Sequence, residues 1–466
     1  MKHMIRILRG KYTGFDYDAR GITGSFYPGR EIVFEDGTDG EIVIDLDRVL
    51  AGEPCGKNEL RKRLYRYLER VSGRTLPWGV LTGVRPTKLT MAALRSGMSR
   101  SEAERLMREE YLVSAEKAAL AAGISERELR VLGELESGSD GPGYSLYVGI
   151  PFCPTRCLYC SFTSYPIAGW AHRVDAYLDA VLKELDWTAA RFAGRPCHSV
   201  YIGGGTPTSL GPAELDRLLS AIRGKIDFTA VREFTVEAGR PDSITREKLE
   251  VLKKHGVSRI SIDPQTMNDS TLRLIGRSHS SAEITEKFLL ARELGFDNIN
   301  MDIILGLPGE MAEDTARTME ALSRLRPDSL TVHALAVKRA SRLKMESAGA
   351  VMPGYSDEES VRMMRIASDG AQAMGLLPYY LYRQKNMAGS LENVGFAAPG
   401  REGIYNIVII EETESIVALG AGTVTKNVDN GPRNITRCDC AKEVEDYIAR
   451  IDEMISRKEA LFSKLS

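Results

Sequence analysis

Three cysteines lie close together in the sequence, as Cys153, Cys157 and Cys160, in a Cys-x3-Cys-x2-Cys spacing. A structural zinc site closes four protein ligands around the ion, and no fourth Cys or His lies at close spacing here. A 4Fe–4S cluster normally takes four thiolates, one on each iron, so three thiolates leave one iron open to a small molecule. The spacing favours such a cluster over three thiols that are packed or paired without a metal.

The remaining cysteines give a weaker signal. Cys55 and Cys197 are isolated and are predicted to be buried as small apolar residues. Cys438 and Cys440 form a lone Cys-x-Cys, which is a weak metal motif, and we predict no metal there. Seven cysteines, an odd number, do not indicate a disulfide framework, so a reducing cytoplasm is the expected location.

Composition places the chain among ordinary globular proteins. It has 466 residues, of which 43% are hydrophobic and 27% charged, and this length allows roughly two to four domains. The net charge of −2 provides no bulk attraction to nucleic acid. We find no apolar run long enough to span a bilayer and no signal peptide, so neither a nucleic-acid partner nor a membrane span is expected.

A strand followed by a helix recurs from residue 145 onwards, which predicts parallel strands joined by right-handed crossovers. The predicted strands cover residues 145–150, 199–202, 233–237, 259–263, 298–304 and 329–335. Helical patterns follow the first five strands, at 174–190, 212–222, 246–255, 282–294 and 313–325. This run predicts an α/β fold, a partial (β/α)6 TIM-like barrel with the cysteine loop after its first strand. An open Rossmann-like sheet is the alternative, although Gly203-Gly204-Gly205 lacks the dinucleotide-binding spacing.

The barrel, at residues 141–340, is predicted to lie between an α+β domain at 1–140 and a mixed domain at 341–466. In the first of these, β-like runs precede helical patterns. The runs cover 3–8, 22–27, 31–34 and 41–46, and the helices 59–71, 101–111, 114–122 and 125–136. Ser101, Ser114 and Ser125 are predicted N-caps, because each precedes an amphipathic run. A glutamate also follows Ser101 and Ser125 at capping-box spacing.

Polar residues stand at the ends of several predicted strands, where parallel barrels place their chemistry. After the second strand, Gly203–Thr206 would let backbone amides approach a ligand. The later strand ends carry Glu237, Gln265 with Arg277 beyond it, and Asp302. A carboxylate in an apolar strand is costly unless it is paired or binds a ligand. A satisfied core pair explains any one of these residues, but together they favour a binding site.

Basic residues follow the sixth strand and recur later in the chain. They are Lys338, Arg339, Arg342 and Lys344, with Arg383 and Lys385 beyond them. Such a rim suits a polyanionic substrate. A solvated surface face is the alternative.

These motifs resemble those of radical S-adenosylmethionine (SAM) enzymes, in particular the oxygen-independent coproporphyrinogen III oxidases. The matching stretches are Tyr147–Cys153, Gly203–Pro207, Glu237, Pro264-Gln265 with Arg277, and Asp302–Pro308. The blocks 78–90 and 379–396 resemble the HemZ-type coproporphyrinogen dehydrogenase branch, which extends the resemblance to nearly the whole chain.

The resemblance implies a site for one or two SAM molecules. The three loop cysteines would hold the cluster, and Tyr147, Gly204 and Glu237 would contact the SAM on its open iron. The family positions that hold a second SAM match Tyr159, Gly205, Thr206, Gln265, Arg277, Asp302 and Ala336. A 5′-deoxyadenosyl radical would then abstract hydrogen from a propionate side chain, and loss of CO2 and an electron would leave a vinyl group. Two rounds convert coproporphyrinogen III to protoporphyrinogen IX in haem biosynthesis.

The resemblance also implies partners, namely a porphyrinogen substrate and an electron donor and acceptor that the sequence does not identify. The chain is expected to be a monomer. The related haem chaperones, which bind and deliver haem on the same fold, are the main alternative. Gly149 stands where the oxidases often have His. Phe162 stands where the best-known oxidases have a further Cys, and the resulting Cys-x-Phe form is closer to the chaperones. Tyr405-Asn406-Ile407, in contrast, differs from the chaperones' His-Asn. A radical SAM enzyme with another substrate is the third possibility.

Overall fold

The fold is described from a computed structural model of the chain. The structure describes residues 4–34, 37, 42–51, 53, 55–137, 142–335, 356–384, 391–429, 431 and 434–463. The chain divides into two compact units, a smaller unit of residues 1–129 with 381–392 and a larger unit of residues 130–380 with 393–466. The three domains expected from the sequence stay a prediction. Within the described residues, no helix combines the length and the apolar surface needed to cross a bilayer.

The smaller unit is built on a three-stranded parallel sheet. Its strands are β1 (Met4–Leu8), β2 (Glu31–Val33) and β3 (Ile42–Asp45), in the order β2-β1-β3. The helices that begin in this unit are α1 (Asp16–Phe26), α2 (Leu46–Val49), α3 (Lys57–Ser72), α4 (Thr87–Arg95), α5 (Arg100–Tyr111) and α6 (Ala115–Ser137). Ile5 and Ile7 of β1 share one buried apolar cluster with Leu60 and Leu64 of α3.

The predicted strand at 22–27 is wrong, because these residues complete α1 and begin the turn after it. Ile22 and Phe26 are four residues apart, so they lie on one face of the helix. Both are buried in the apolar cluster of the smaller unit. A short apolar run satisfies both periods, and here the helix period applies.

Of the three predicted serine caps, Ser114 is confirmed, because it precedes α6 and its Oγ accepts from the Lys117 N–H at 3.3 Å, and the other two are wrong. Helix α6 is continuous through residues 115–137, and Ser125 lies inside it, fully buried, with its Oγ 2.7 Å from Thr90 Oγ1. Helix α5 is capped by Ser99, which forms a capping box with Glu102, rather than by Ser101. A buried serine that bonds a neighbouring helix has the same sequence signal as a cap.

The larger unit contains an eleven-stranded sheet whose six central strands are the predicted barrel strands. They are β4 (Tyr144–Ile150), β7 (Cys197–Gly204), β8 (Glu233–Gly239), β9 (Arg259–Gln265), β10 (Ile299–Leu305) and β11 (Ser329–Ala334). Each pairs in parallel with the next in sequence. Between β4 and β7, the short strands β5 (Phe152–Cys153) and β6 (Tyr165–Pro166) pair with each other. The α/β class and the partial (β/α)6 barrel are confirmed.

Helices connect these strands. They are α7 (Ile167–Trp170), α8 (Val174–Arg191), α9 (Pro212–Lys225), α10 (Arg246–Lys254), α11 (Asp269–Leu274), α12 (Ser281–Glu293) and α13 (Ala312–Leu325). The short α7 and α11 were not predicted, whereas the other five, α8, α9, α10, α12 and α13, are those that the periodicity predicts. Their buried positions recur at helical spacing, as in Leu215, Leu218, Leu219 and Ile222 of α9. Such an apolar stripe covers one face of a parallel sheet.

Strands from the C-terminal part of the chain extend this sheet at both edges. They are β12 (Leu377–Tyr382) and β13 (Asn393–Ala397) beyond β11, and β14 (Ser415–Leu419), β15 (Val424–Asn427) and β16 (Thr436–Asp439) beyond β4. Strand β14 runs parallel to β4. The helices of this part are α14 (Asp357–Ala373), α15 (Ile404–Glu411), α16 (Val444–Ala449) and α17 (Ile451–Ser463). The loops at the carboxyl end of β14 therefore lie beside the cysteine loop.

Candidate functional site

The cysteine loop begins at the carboxyl end of β4 and is bonded to two other parts of the barrel. The Gly205 N–H donates to the Ile150 carbonyl (2.8 Å) and the Thr206 N–H to the Phe152 carbonyl (2.7 Å). Further along the loop, the Leu158 N–H donates to the Ile275 carbonyl at 3.0 Å. The glycine-rich turn after β7 and the turn after α11 thus fix the path of the loop.

Arg240 also holds the cysteine loop in place. It was not among the predicted site residues. Its Nη1 donates to the Thr155 carbonyl (3.0 Å) and to Thr155 Oγ1 (2.6 Å), and lies 3.8 Å from Cys157 Sγ. Its Nη2 donates to Asp242 at 2.6 Å, and the residue is only 3% exposed. The available signal was its position, immediately after the carboxyl end of β8.

The three loop thiols lie within electrostatic range of one another, with Cys153 and Cys157 buried and Cys160 partly buried. Burial raises the pKa of Cys153 to about 11 and also raises that of Cys160. Among the described residues, no three ligating side chains converge closely enough to hold one metal ion. In a 4Fe–4S cluster each thiolate binds a different iron, so the ligands are spread more widely than around one ion. The donor set fits a cluster better than a single ion.

The glycine turn after β7 packs closely against these thiols. A Cβ on Gly205 would lie 2.7 Å from the Phe152 carbonyl oxygen and 3.0 Å from Cys153 Sγ. Both distances are too short for a side chain. Thr206 Oγ1 lies next to the same sulfur, at 3.5 Å. A backbone without side chains therefore approaches the loop closely here, as a site for a bound cofactor needs.

Three tyrosines stack on one another beside this turn. Tyr147 and Tyr201 are register partners on β4 and β7, and their ring centroids are 6.0 Å apart. Tyr405 of α15 stacks on both rings, at 5.8 Å from Tyr147 and 4.4 Å from Tyr201. The Tyr201 hydroxyl donates to Glu237 Oε1 at 2.5 Å. The stack forms an aromatic wall with one carboxylate at its edge, and Tyr201 and Tyr405 were not predicted as site residues.

Three carboxylates face one another across β8, β9 and β10. Burial and, after it, the charge of the neighbouring Asp263 raise the pKa of Glu237 to about 8. Burial, together with Asp302, raises the pKa of Asp263 to about 7. Burial acts in the same direction on Asp302, but the hydrogen bond and charge of His333 lower the pKa of Asp302 below its ordinary value. Without a ligand, the cluster therefore favours the protonated forms of Glu237 and Asp263, and a cationic ligand would favour their ionised forms.

A chain of hydrogen bonds orients two of these carboxylates. Asn300 Nδ2 donates to Asp302 Oδ1 (2.7 Å) and to Ser261 Oγ (3.0 Å), and Ser261 Oγ donates to Asp263 Oδ1 (2.8 Å). His333 Nε2 lies 3.5 Å from the other oxygen of Asp302. Asp263 and His333 were not among the predicted site residues, although both lie at carboxyl ends of barrel strands.

Gln265 is held in an unusual conformation at the end of β9. Its φ is +63°, which a residue with a side chain rarely adopts, and its side chain is buried at 7% exposure. Its Oε1 has no hydrogen-bond partner in the structure. An unsatisfied buried acceptor on a strained residue indicates a ligand site. Nearby, Arg277 Nη1 donates to the Asp263 carbonyl, and Nη2 donates to the Tyr159 hydroxyl at 3.1 Å.

The structure brings nearly all of the predicted site residues to one end of the barrel. The set comprises Tyr147, Cys153, Cys157, Tyr159, Cys160, Gly204, Gly205, Thr206, Glu237, Gln265, Arg277 and Asp302, and their roles stay a prediction. Ala336, Lys338, Arg339, Arg342, Lys344 and Lys385 lie outside the described residues. Cys440 is buried, and its Sγ lies 3.7 Å from Glu184 Oε1.

The comparisons with known proteins identify the family. Residues 147–322 match the radical SAM superfamily. The chain is 42% identical over 417 residues to the oxygen-independent coproporphyrinogen-III oxidase-like protein HemZ of Bacillus subtilis, a match that covers 88% of this chain and 82% of that protein. The chain belongs to the coproporphyrinogen III oxidase-like family of radical SAM proteins. The cofactors of the radical SAM superfamily are a 4Fe–4S cluster and SAM.

Other proteins are similar to this chain over shorter stretches. The haem chaperone HemW of B. subtilis is 32% identical over 296 residues, 62% of this chain and 73% of that protein. The oxygen-independent coproporphyrinogen III oxidase of Escherichia coli is 37% identical over 188 residues, 40% of this chain and 41% of that protein. The crystal structure of the E. coli oxidase, HemN, matches 70% of this chain and 73% of its own at 25% identity, with a TM-score of 0.56.

Of the two positions where this radical SAM chain departs from the family pattern, Gly149 has a structural account. A Cβ on Gly149 would lie 2.6 Å from Thr423 Cγ2, on the turn after β14, so the pairing of β14 with β4 excludes a histidine there. Phe162 points outward and is 66% exposed, which is an unusual position for a large apolar ring.

Proposed function

We propose that the protein is a radical SAM enzyme that converts coproporphyrinogen III to protoporphyrinogen IX without oxygen. The support is a polar ligand shell at the strand ends next to three cluster-type thiols, in a chain that matches a coproporphyrinogen oxidase-like relative over 88% of its length. Within that shell, the unsatisfied Gln265 Oε1 is the observation that most directly calls for a ligand. The cytoplasm remains the proposed location, because cluster thiols need a reducing compartment.

In this proposal Cys153, Cys157 and Cys160 hold the cluster. When bound, the cluster and SAM supply a carbon-centred radical that takes a hydrogen atom from a substrate propionate. Arg240 fixes the loop, so the thiols keep their places while the cofactor assembles. The aromatic wall of Tyr147, Tyr201 and Tyr405 excludes water from this end of the barrel.

The carboxylates bind the cationic part of SAM. Glu237 would accept a hydrogen bond from the SAM amino group, and the positive charge of that group would relieve the repulsion between Glu237 and Asp263. Gln265, Arg277 and Asp302 are proposed to hold a second SAM, as the family resemblance implies. An acidic shell matches the positive charge of the sulfonium and ammonium groups.

An anaerobic assay tests the proposal. The purified chain is reconstituted with iron and sulfide and mixed with SAM, a strong reductant and coproporphyrinogen III. Mass spectrometry should show two successive conversions, each with the loss of one CO2 and two hydrogens, together with 5′-deoxyadenosine. Formation of 5′-deoxyadenosine while the porphyrinogen is unchanged would instead indicate a radical SAM enzyme with another substrate.

Haem chaperoning is the second candidate, favoured by the 32% identity with HemW over 73% of that protein. It predicts stoichiometric, tight haem binding and no vinyl product. Titration of the same preparation with haem, followed by visible absorbance, separates the two functions. Stoichiometric haem binding without product would overturn the oxidase proposal.

The cluster assignment is tested separately from the substrate. Cys157→Ser should lose the visible iron–sulfur absorbance and most of the bound iron after reconstitution, because a hydroxyl is a poor ligand for a soft iron–sulfur centre. Cys438→Ser is the matched control, since Cys438 lies on β16 away from the loop, and it should keep its iron. Equal iron content in both variants would refute the assignment.

A further inference from the structure

The smaller unit contains a cavity of about 400 Å³ that belongs to no site described above. This volume falls within the range of small-molecule pockets, roughly 300–1,000 Å³. Its walls are one face of α1, the turn after α1, residues 82–84 and the segment that carries Arg383. All of the lining residues belong to the smaller unit.

Positive charge dominates the described lining of this cavity. Arg20, Arg30 and Arg383 line it, and no Asp or Glu is among the described lining residues. Arg20 Nη1 donates to the Ile32 carbonyl at 2.8 Å, which fixes the guanidinium, and the charge of Arg20 also acts on Asp16. The guanidinium of Arg30 lies 5.7 Å from the centroid of the Tyr27 ring. Guanidinium groups held in this way are suited to carboxylate and phosphate.

Arg383 is the most deeply buried of the three arginines, at 8% exposure. Its Nη1 donates to the Leu81 carbonyl (2.6 Å), its backbone N–H donates to the Val84 carbonyl (2.7 Å), and its guanidinium lies 5.8 Å from the Trp78 ring centroid. Burial lowers the pKa of Arg383 to about 10, which Glu392 counteracts in part. A buried cation is costly, and a bound anion would reduce that cost.

Glu392, the carboxylate in electrostatic range of Arg383, has other partners. Its Oε1 accepts from Lys117 Nζ at 2.7 Å and its Oε2 from Trp78 Nε1 at 2.8 Å. The charge of Glu392 is therefore balanced by Lys117. Among the described residues, the lining of the cavity thus carries three arginines and no acid.

The remaining lining provides space and hydrogen-bonding groups. Gly21 and Gly24 leave the α1 face without side chains, and Ser25 and Thr82 bring hydroxyls to the wall. Tyr17, largely exposed, lies at the cavity as well. We propose that this cavity binds a small-molecule polyanion, whose phosphate or carboxylate groups are held by Arg20, Arg30 and Arg383. This inference goes beyond the proposed function and does not depend on it.

Calorimetric titration of the full-length chain tests the proposal, with inorganic pyrophosphate in one arm and tricarballylate, a tricarboxylate, in the other. At constant ionic strength, one arm or both should show saturable binding at one site per chain. Pyrophosphate alone indicates a phosphate ligand, and tricarballylate alone indicates a carboxylate ligand. Arg20→Gln and Arg30→Gln should each weaken binding by about tenfold or more, because each removes charge-assisted hydrogen bonds.

Arg66→Gln is the matched control, since Arg66 lines a separate arginine-rich groove of the same unit, and it should bind like the parent chain. Thermal unfolding without ligand shows whether each variant is folded. The shift of the melting temperature on adding the anion provides a second readout of binding. Absence of saturable binding in both arms, or equal weakening in Arg66→Gln, would overturn the proposal.

Discussion

The Glu237 carboxyl group is disfavoured in its ionised form by the fold, whereas the proposed ligand would favour that form. The group is enclosed next to Asp263, and burial followed by that neighbour raises its pKa to about 8. The proposed SAM ammonium group would favour the ionised carboxylate that the empty site disfavours. Fold stability and ligand binding therefore place opposite demands on this residue, as is common at functional sites.

The conflict predicts a pH-dependent effect of Glu237→Gln. The carboxyl loses its proton near pH 4.5 in the unfolded chain but only near pH 8 in the fold, so the folded state binds more protons between these values. Stability of the parent chain should therefore fall as pH rises through this window, and the variant should avoid that loss. Urea unfolding without SAM should show the variant more stable by about 4 kcal/mol at pH 8 and by only about 1 kcal/mol near pH 5.

The opposite result is expected for ligand binding. Glu237→Gln should weaken SAM binding by tenfold or more, because an amide cannot balance the ammonium charge. Equilibrium dialysis at pH 8 measures this. A variant that binds SAM as well as the parent would contradict the role proposed for Glu237, whatever its stability.

The role of Arg240 in holding the cysteine loop can be tested by Arg240→Met. Arg240→Met removes two hydrogen bonds to Thr155 and leaves Asp242, a largely buried carboxylate, without its guanidinium. Loss of one partner of a buried pair costs about 3 kcal/mol. The variant should also lose iron several-fold faster to a chelator, followed by the decay of visible absorbance.

The control for Arg240→Met is Arg246→Met, since the pair of Arg246 with Glu293 is exposed to solvent. That variant should change stability by less than about 1 kcal/mol and keep the parent rate of iron loss. If both variants release iron at the same rate, Arg240 does not hold the loop.

At the level of whole elements, the sequence predicted the barrel well because its signals are local. The apolar strands and the helical stripes each lie within about ten to twenty residues, and the order β4-β7-β8-β9-β10-β11 follows when each strand pairs with the next through a right-handed crossover. The pairing of β14 with β4 joins residues more than 260 positions apart, and no local pattern reports it. The presence of glycine at position 149, where the oxidases often have His, is explained only by that pairing.

The same contrast holds within the site. Cys153, Cys157 and Cys160 were predictable from spacing, and Glu237 and Asp302 from polar residues inside apolar strands. Tyr201 and His333 lack such a signal, because aromatic and histidine side chains are common in buried strands. Their roles depend on neighbours from other strands, as with Tyr201 and Glu237.

Helix α17 is anchored to the barrel by a fully buried ion pair between Lys458 and Glu184 of α8. Lys458 Nζ also donates to the Ala418 carbonyl, and Glu184 Oε2 accepts from the Tyr447 hydroxyl at 2.5 Å and from the Gly420 N–H at 2.9 Å. Removal of the lysine would leave a buried carboxylate without a cation. Lys458→Met should therefore lower the free energy of unfolding by about 3–5 kcal/mol.

Lys183→Met provides the matched control, because Lys183 pairs with Asp452 across the same two helices in an exposed position. Its effect in urea unfolding should stay below about 1 kcal/mol. The double variant Lys458→Met with Glu184→Gln should recover part of the loss, since no charge is then buried. A single variant no worse than Lys183→Met would show that the pair does not anchor α17.

On the scale of the whole molecule, the smaller unit is discontinuous in sequence, since residues 381–392 fold with residues 1–129. Arg383 donates to the Leu81 carbonyl, and Glu392 accepts from Trp78 and Lys117. The segment therefore takes its partners from a part of the chain more than 260 residues away. Its order should depend on that part being present.

Deletion of residues 1–129 tests this dependence. Without Leu81, Trp78 and Lys117, the 381–392 segment loses the bonds that bury Arg383 and Glu392, so trypsin should cut after Arg383 in the truncated chain far faster than in the full-length one. Mass spectrometry of brief digests locates the cut. In the full-length chain, Lys117→Met isolates one of these contacts, because it leaves Glu392 buried without its cation, and it should raise the cleavage rate by an intermediate amount. Equal protection of Arg383 in the truncated and full-length chains would mean that the segment folds with the larger unit instead.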